Sequence, residues 1–362
     1  MSTKRFVAFN SFTEYSGKLY AGINTYFGFL GSPTFFDNVL VYDTITGWDL
    51  NHRFDPGIYI RVVAANLTSY NGDLYAILLY TQNSPGRAVE MWKFDGATWT
   101  LTQTLDPQLS QDTESIVYSG NMYFPAIRTG VVDPNHYIYK SDGTNFLISQ
   151  TIAKDSNLNA PPTLGVYAGN LYFAYSNVIY KFDGISWTTS NTFPSVDTSN
   201  LNGIYSLVAF NGLLYAIMTT NTTFDFGGPF GFAVLMDREV WIFNGVSWSL
   251  DSTVPATAFP NDPSYNTDIC SDIYRGKMAV KDATRLLAVL TSNFNSHVDV
   301  FEYNTGSQTW SETSTDQTFD PTMTKNYFLL PSLFEYSVNS LLYLTLSAND
   351  GTDVWTFPIA DL

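Results

Sequence analysis

The chain has 362 residues and a net charge of −16, from 33 acidic and 17 basic side chains, with 16% aromatic but only 14% charged residues. So much apolar and aromatic surface excludes a disordered chain. An acidic surface without a basic tract excludes nucleic acid and anionic membranes as partners. The single cysteine, Cys270, excludes an intramolecular disulfide and a cysteine-based zinc site.

The N-terminal MSTKRFVAFN has no apolar stretch of signal-peptide length, and no run reaches the roughly 20 apolar residues of a membrane helix. The expected location is the cytoplasm, or a virion if the chain is viral, without membrane insertion. The first predicted strand lies in RFVAFNSFTEYSG (5–17), which is similar to RVVAANLTSYNG (61–72). The second of these opens a clear unit. IRVVAANLTSY (60–70) is one strand, LYAILLY (74–80) a second, EMWKF (90–94) a third and WTLTQTL (99–105) a fourth. Asn71-Gly72 and Asp95-Gly96 are predicted as type I′ hairpin turns, in which both central residues need positive φ.

The unit recurs. Gly-x-Leu-Tyr-like phrases stand at SGKLYAG (16–22), NGDLYAI (71–77), SGNMYFP (119–125), AGNLYFA (168–174) and NGLLYAI (211–217), with degenerate copies at 284–290 and 339–345. Each is followed by a second phrase: YDTITGW (42–48), WKFDGATW (92–99), YKSDGTNF (139–146), YKFDGISW (180–187), WIFNGVSW (241–248), FEYNTGSQTW (301–310) and a truncated VWTF (354–357). Strand-rich repeats about 45 to 70 residues apart read as propeller blades.

The expected fold is all-β: one domain, 1–362, forming a seven-bladed β-propeller of four-stranded antiparallel blades. The blades fall near 5–53, 61–105, 112–152, 163–193, 204–253, 269–313 and 327–362, the last incomplete or closed by a terminus. Trp99 and its equivalents are expected to pack between neighbouring blades rather than to serve as ligand platforms.

This pairing of an aromatic in one strand with a Trp in the next resembles the kelch-like seven-bladed propellers. The chain departs from them in lacking their Gly-Gly signature, since Gly227-Gly228 falls in an insertion. The turn also looks like the Asp-box of sialidases, Ser-x-Asp-x-Gly-x-Thr-Trp, but Asp95 and Gly96 are adjacent. The resemblance implies an architecture and no particular activity.

In such a blade the tight Asn-Gly, Ser-Gly and Asp-Gly turns lie on one face and the long connections on the other. The long ones are 25–38, 219–239 and 253–268, read as irregular aromatic loops. Long ordered loops cost entropy and usually carry function. The candidate binding residues are therefore Tyr26, Phe27, Phe29, Phe35, Phe224, Asp225, Phe226, Phe230, Phe232, Asp262 and Tyr265.

The three histidines, His52, His136 and His297, fall in different repeats without metal-ligand spacing and read as loop or surface residues. No nucleophile, phosphate-binding or dinucleotide motif is present, so no catalytic residue, metal or cofactor is expected. The expected function is a non-enzymatic virion component whose long-loop face docks on other protein subunits of an assembly or on a host surface, with a surface glycan as a further partner. The alternatives are a carbohydrate-binding lectin and a polysaccharide-acting hydrolase or lyase.

Overall fold

The computed structural model describes residues 6–26, 39–43, 47–52, 54, 61–81, 87–105, 109–110, 115–128, 135–153, 162–193, 203–228, 231–254, 275–280, 284–291, 298–312, 332–336, 341–348 and 351–358. They form seven antiparallel sheets whose strands pair in chain order. The first holds β1 (Phe6–Tyr15), β2 (Lys18–Tyr26), β3 (Val39–Asp43) and β4 (Gly47–His52). The second holds β5 (Arg61–Tyr70), β6 (Asp73–Thr81), β7 (Arg87–Phe94) and β8 (Trp99–Thr104). In the third, β9 (Leu109–Ser110) and β10 (Ile116–Tyr118) both pair with β11 (Asn121–Arg128), followed by β12 (Asn135–Ser141) and β13 (Phe146–Ala153).

The fourth holds β14 (Thr163–Tyr167), β15 (Asn170–Tyr175), β16 (Val178–Phe182) and β17 (Trp187–Thr192). The fifth holds β18 (Gly203–Phe210), β19 (Leu213–Gly228), β20 (Gly231–Phe243) and β21 (Trp248–Val254). The sixth holds β22 (Arg275–Val280), β23 (Arg285–Thr291), β24 (Val298–Asn304) and β25 (Thr309–Glu312). The last has three described strands, β26 (Ser332–Tyr336), β27 (Leu341–Ala348) and β28 (Gly351–Pro358).

The sheets fall into two compact units. One comprises Met1–Lys154 with Ser332–Leu362, the other Asp155–Pro331. In the first unit, β1 lies against β26, β27 and β28, so the first sheet meets the last there. The second strands supply the core because they are apolar on both sides: Leu74 to Leu78, Leu171 to Tyr175 and Leu214 to Met218 are all buried.

Two turn chemistries alternate. At Asn71-Gly72 both φ are positive, 50° and 81°, as a two-residue hairpin requires, and the pattern recurs at Ser16-Gly17, Ser119-Gly120, Ala168-Gly169 and Asn211-Gly212. Asp95-Gly96 is different. Phe94 pairs with Trp99, so four residues make the loop, and of the two only Gly96 (φ 99°) is positive. The Asp95 carboxylate closes it by accepting the N–H of Ala97 (2.9 Å) and of Thr98 (2.8 Å). Asp142, Asp183 and Asn244 do the same in the third, fourth and fifth sheets. The type I′ expectation for this turn is therefore corrected to an Asx-type turn, in which the side chain replaces a backbone acceptor.

Every fourth strand of the first five sheets carries a β-bulge at the same register. The extra residues are Asn51, Thr102, Ser149, Ser190 and Asp251. A bulge adds twist and re-aims one side chain. At two of the five it turns that position toward the next sheet: the indole N–H of Trp99 donates to Asn51 Oδ1 at 2.9 Å, and that of Trp248 to Ser190 Oγ at 3.4 Å. These tryptophans pack between adjacent sheets, as the repeat predicts.

The first strands are joined by buried hydroxyls. Ser11 Oγ accepts the N–H of Leu67 at 2.8 Å, and Ser206 Oγ that of Met278 at 3.1 Å. Tyr70 and Tyr167 then donate their phenol O–H to the carbonyls of Gly120 and Gly212 in the following hairpin turn.

Candidate functional site

The 219–239 insertion, read from the sequence as an irregular loop, is a β-ribbon. β19 and β20 continue pairing past the end of their sheet, through Thr220↔Asp237, Thr223↔Leu235, Phe224↔Val234 and Asp225↔Ala233 to Gly228↔Gly231, with shifts after Thr220 and Asp225. Among the described residues, the flanking strands pair with it only at its root, β18 as far as Gly203↔Thr219 and β21 as far as Arg238↔Val254. Thr and Phe suit extended backbone, and the small Gly227-Gly228 and Gly231 stand at the tip.

The ribbon gathers part of the candidate set. Phe224, Asp225 and Phe226 lie on β19, and Phe232 lies on the facing β20. Tyr26 ends β2 in the other unit, paired with Phe6. Phe27, Phe29, Phe35, Phe230, Asp262 and Tyr265 lie outside the described residues.

At the root of the ribbon stands a feature that the repeated phrases do not include. Glu239 accepts the indole N–H of Trp241 at 2.8 Å, two residues along the same strand. The second sheet has an equivalent pair, in which Glu90 accepts the N–H of Trp92 at 2.9 Å. Residues two apart in a strand share a face, so an acid placed two before the Trp meets it automatically. The signal was legible: the acid–x–aromatic string recurs as EMW (90–92), EVW (239–241), DVF (299–301) and DVW (353–355).

Each pair is packed into an aromatic cluster. Phe54 meets Trp92 and Trp99 with ring centroids 5.0 and 5.2 Å away, and Phe193 meets Trp241 and Trp248 at 4.8 and 5.6 Å. Trp99 and Trp248 are also stacked on Phe94 and Phe243. With rings partly buried against these phenylalanines and indole donors bonded, these tryptophans act as packing between strands and sheets.

Several of the described carboxylates are engaged in structure. Glu90 and Glu239 hold indoles, and Asp95, Asp142 and Asp183 hold turn amides, which pull each of these three aspartates below the usual carboxylate range. Asp73 pairs with Lys93 at 2.6 Å, and this bond raises the lysine. Between the fifth and sixth sheets, burial and the nearby Asp251 push Tyr215 up to about 12. Burial likewise raises Tyr303, and the neighbouring Asp251 adds to the shift.

Two of the histidines expected in loops stand in strands, and His297 lies outside the described residues. His136 is buried in β12, and His52 ends β4 with its ring 4.5 Å from that of Phe54, where burial lowers its pKa. The apolar strand faces around them explain both placements. Among the described residues no group of His, Cys, Asp or Glu could hold a metal, and no helix is long and apolar enough to cross a membrane.

No family model and no curated protein matches the sequence. Solved structures do match. The GH74 enzyme of Niastella koreensis aligns with 98% of this chain at a TM-score of 0.56 and 17% identity. An oligogalacturonate lyase in complex with manganese aligns with 97% at 0.56 and 11%. A polysaccharide lyase of family PL25, an ulvan lyase bound to -[GlcA(1-4)Rha3S]-, aligns with 98% at 0.51 and 12%. The fold is of the β-propeller type. The chain spans 53% of the length of the GH74 enzyme, against 90% and 96% of the two lyases.

These neighbours correct the functional expectation. A non-enzymatic virion component was anticipated, whereas these three propeller-type neighbours are all enzymes. The anticipated docking loop at 219–239 is likewise a paired ribbon.

Proposed function

We propose that the protein is a polysaccharide-acting enzyme, and that it is a hydrolase cutting a neutral glycan. The observation that carries this reading is the likeness of fold, over nearly the whole chain, to a GH74 enzyme, an oligogalacturonate lyase and an ulvan lyase.

Charge selects among the reactions. Lyase chemistry eliminates across a uronic acid, so its substrate is a polyanion whose carboxylate must be neutralised as the neighbouring proton leaves. A chain with a net charge of −16 repels such a polymer at long range. Hydrolysis of a neutral glycosidic bond needs two carboxyl groups, one to protonate the leaving oxygen and one to act as base or nucleophile. The lyase reading is favoured by one observation, the near-complete span of the two lyase chains.

The test is incubation of the purified protein with neutral and uronic-acid polysaccharides. Reducing ends released without an unsaturated chromophore support hydrolysis. Release accompanied by that chromophore on a uronate polymer replaces hydrolase by lyase. A folded protein that cuts no member of a broad panel sinks the enzyme reading.

A further inference from the structure

We propose that the β-ribbon leaving the fifth sheet is an arm that grips a neutral polysaccharide chain, an inference resting on the reading above. Its architecture sets it apart. β19 has 16 residues and β20 has 13, whereas the second strands of the other sheets have 6 to 9. The paired stretch from Thr220↔Asp237 to Gly228↔Gly231 is long enough, at about 3.3 Å per residue, to reach on the order of 25–30 Å. That is the length of several sugar residues.

The ribbon runs past the described pairing of its sheet: among the described residues, β18 pairs as far as Gly203↔Thr219 and β21 as far as Arg238↔Val254. A two-stranded ribbon is marginal in water, and fixing each residue costs about 1–2 kcal/mol of backbone entropy. Paired structure kept at that cost in a long connection between sheet strands is usually functional.

Its residues indicate the ligand. Phe224 and Phe226 stand at alternate positions of β19 with Asp225 between them, and Phe232 stands on β20. Aromatic rings offer a surface to the C–H face of a sugar, and carboxylates accept hydroxyl hydrogen bonds. Between 219 and 237 there are two acids, Asp225 and Asp237, and no Lys or Arg. That composition disfavours an anionic polymer and leaves a neutral one.

Two variants test the arm. One replaces 221–236 by Asn-Gly, closing the hairpin at the Thr220↔Asp237 pair. The other is the double substitution Phe224→Ala, Phe226→Ala, which keeps the ribbon backbone. Retention is measured on immobilised glucan, galactomannan and arabinan, with polygalacturonate as the anionic control, alongside cleavage of the same polymers and melting temperature. The expected result is retention of the wild type on at least one neutral polymer and not on polygalacturonate. The double variant should lose at least tenfold in affinity, at an unchanged melting temperature.

Wild-type-like affinity in the double variant overturns the arm, as does retention on polygalacturonate alone. Cleavage without retention overturns it while leaving the enzyme reading standing. Ribbon-dependent retention without cleavage does the reverse. Ribbon-dependent self-association in place of glycan retention also overturns it.

Discussion

Trp99 donates its indole N–H to Asn51 at 2.9 Å, and Asn51 is the residue that the bulge of β4 leaves without a strand partner. One sheet's irregularity thus receives the next sheet's tryptophan. Trp248 and Ser190 repeat the relation in the second unit, where Ser190 is again the bulged residue.

Trp99→Ala should cost about 3–5 kcal/mol, since it empties a space packed by Phe54 and Phe94. Trp99→Phe keeps most of the packing and loses the donor. A double-mutant cycle with Asn51→Ala should return a coupling of about 1 kcal/mol in denaturant melts. A coupling indistinguishable from zero would show that the bond contributes nothing.

Gly143→Ala should destabilise strongly, whereas Gly120→Ala should cost less. Both glycines have positive φ, at 91° and 70°, so both substitutions are strained. At Gly143, however, the new Cβ would lie 2.6 Å from the hydroxyl of the buried Tyr75, and at Gly120 it meets nothing within 4 Å. Thermal melts of the two variants separate steric clash from backbone strain, and equal losses would refute the close approach of Tyr75.

Acid should weaken the turns that begin at Asp95, Asp142 and Asp183. Each carboxylate is held below its ordinary pKa, chiefly by backbone N–H donors, so each contributes stability above the unfolded carboxylate pKa. That contribution is lost as pH falls through the lowered native value. Asn244 makes the same two bonds without a titrating group. Asp183→Asn should therefore keep the turn at neutral pH and flatten the acid limb of the stability profile, read as melting temperature against pH. An unchanged acid limb would remove Asp183 from that account.

Alkali acts on the buried tyrosines. Burial first, then neighbouring Tyr167 or Asp251, raises Tyr172 and Tyr215 from 10.0 to about 12. Stability from keeping them neutral is complete below pH 10 and is lost between about 10 and 12. Absorbance titration of the phenolates should show a late-ionising class, diminished by Tyr172→Phe. Full ionisation near 10 in the folded state would contradict the burial.

Some of the site was readable without coordinates, and some was not. The acid of the Glu-x-Trp pair sits in plain view at Glu90 and Glu239, and only attention to period 2 was needed to connect it with the Trp. The ribbon was harder. Polar TTNTT (219–223) and the glycines at 227–228 have the composition of a loop, and only the pairing of Phe224 with Val234 makes them strand. The Asp-Gly turn misled because a two-residue signal was read where Phe94 and Trp99 close a four-residue loop.

By itself the sequence determined the strands, their antiparallel order and the tight hairpins, because each depends on neighbours in the chain: alternating side chains, a glycine that tolerates positive φ, a repeated phrase. Tertiary structure alone decided which residues bulge, which sheet receives each tryptophan and where the fifth sheet becomes a ribbon. Those outcomes depend on register between strands far apart in sequence. A slip of one residue there exchanges the buried and exposed faces while leaving the local sequence unchanged.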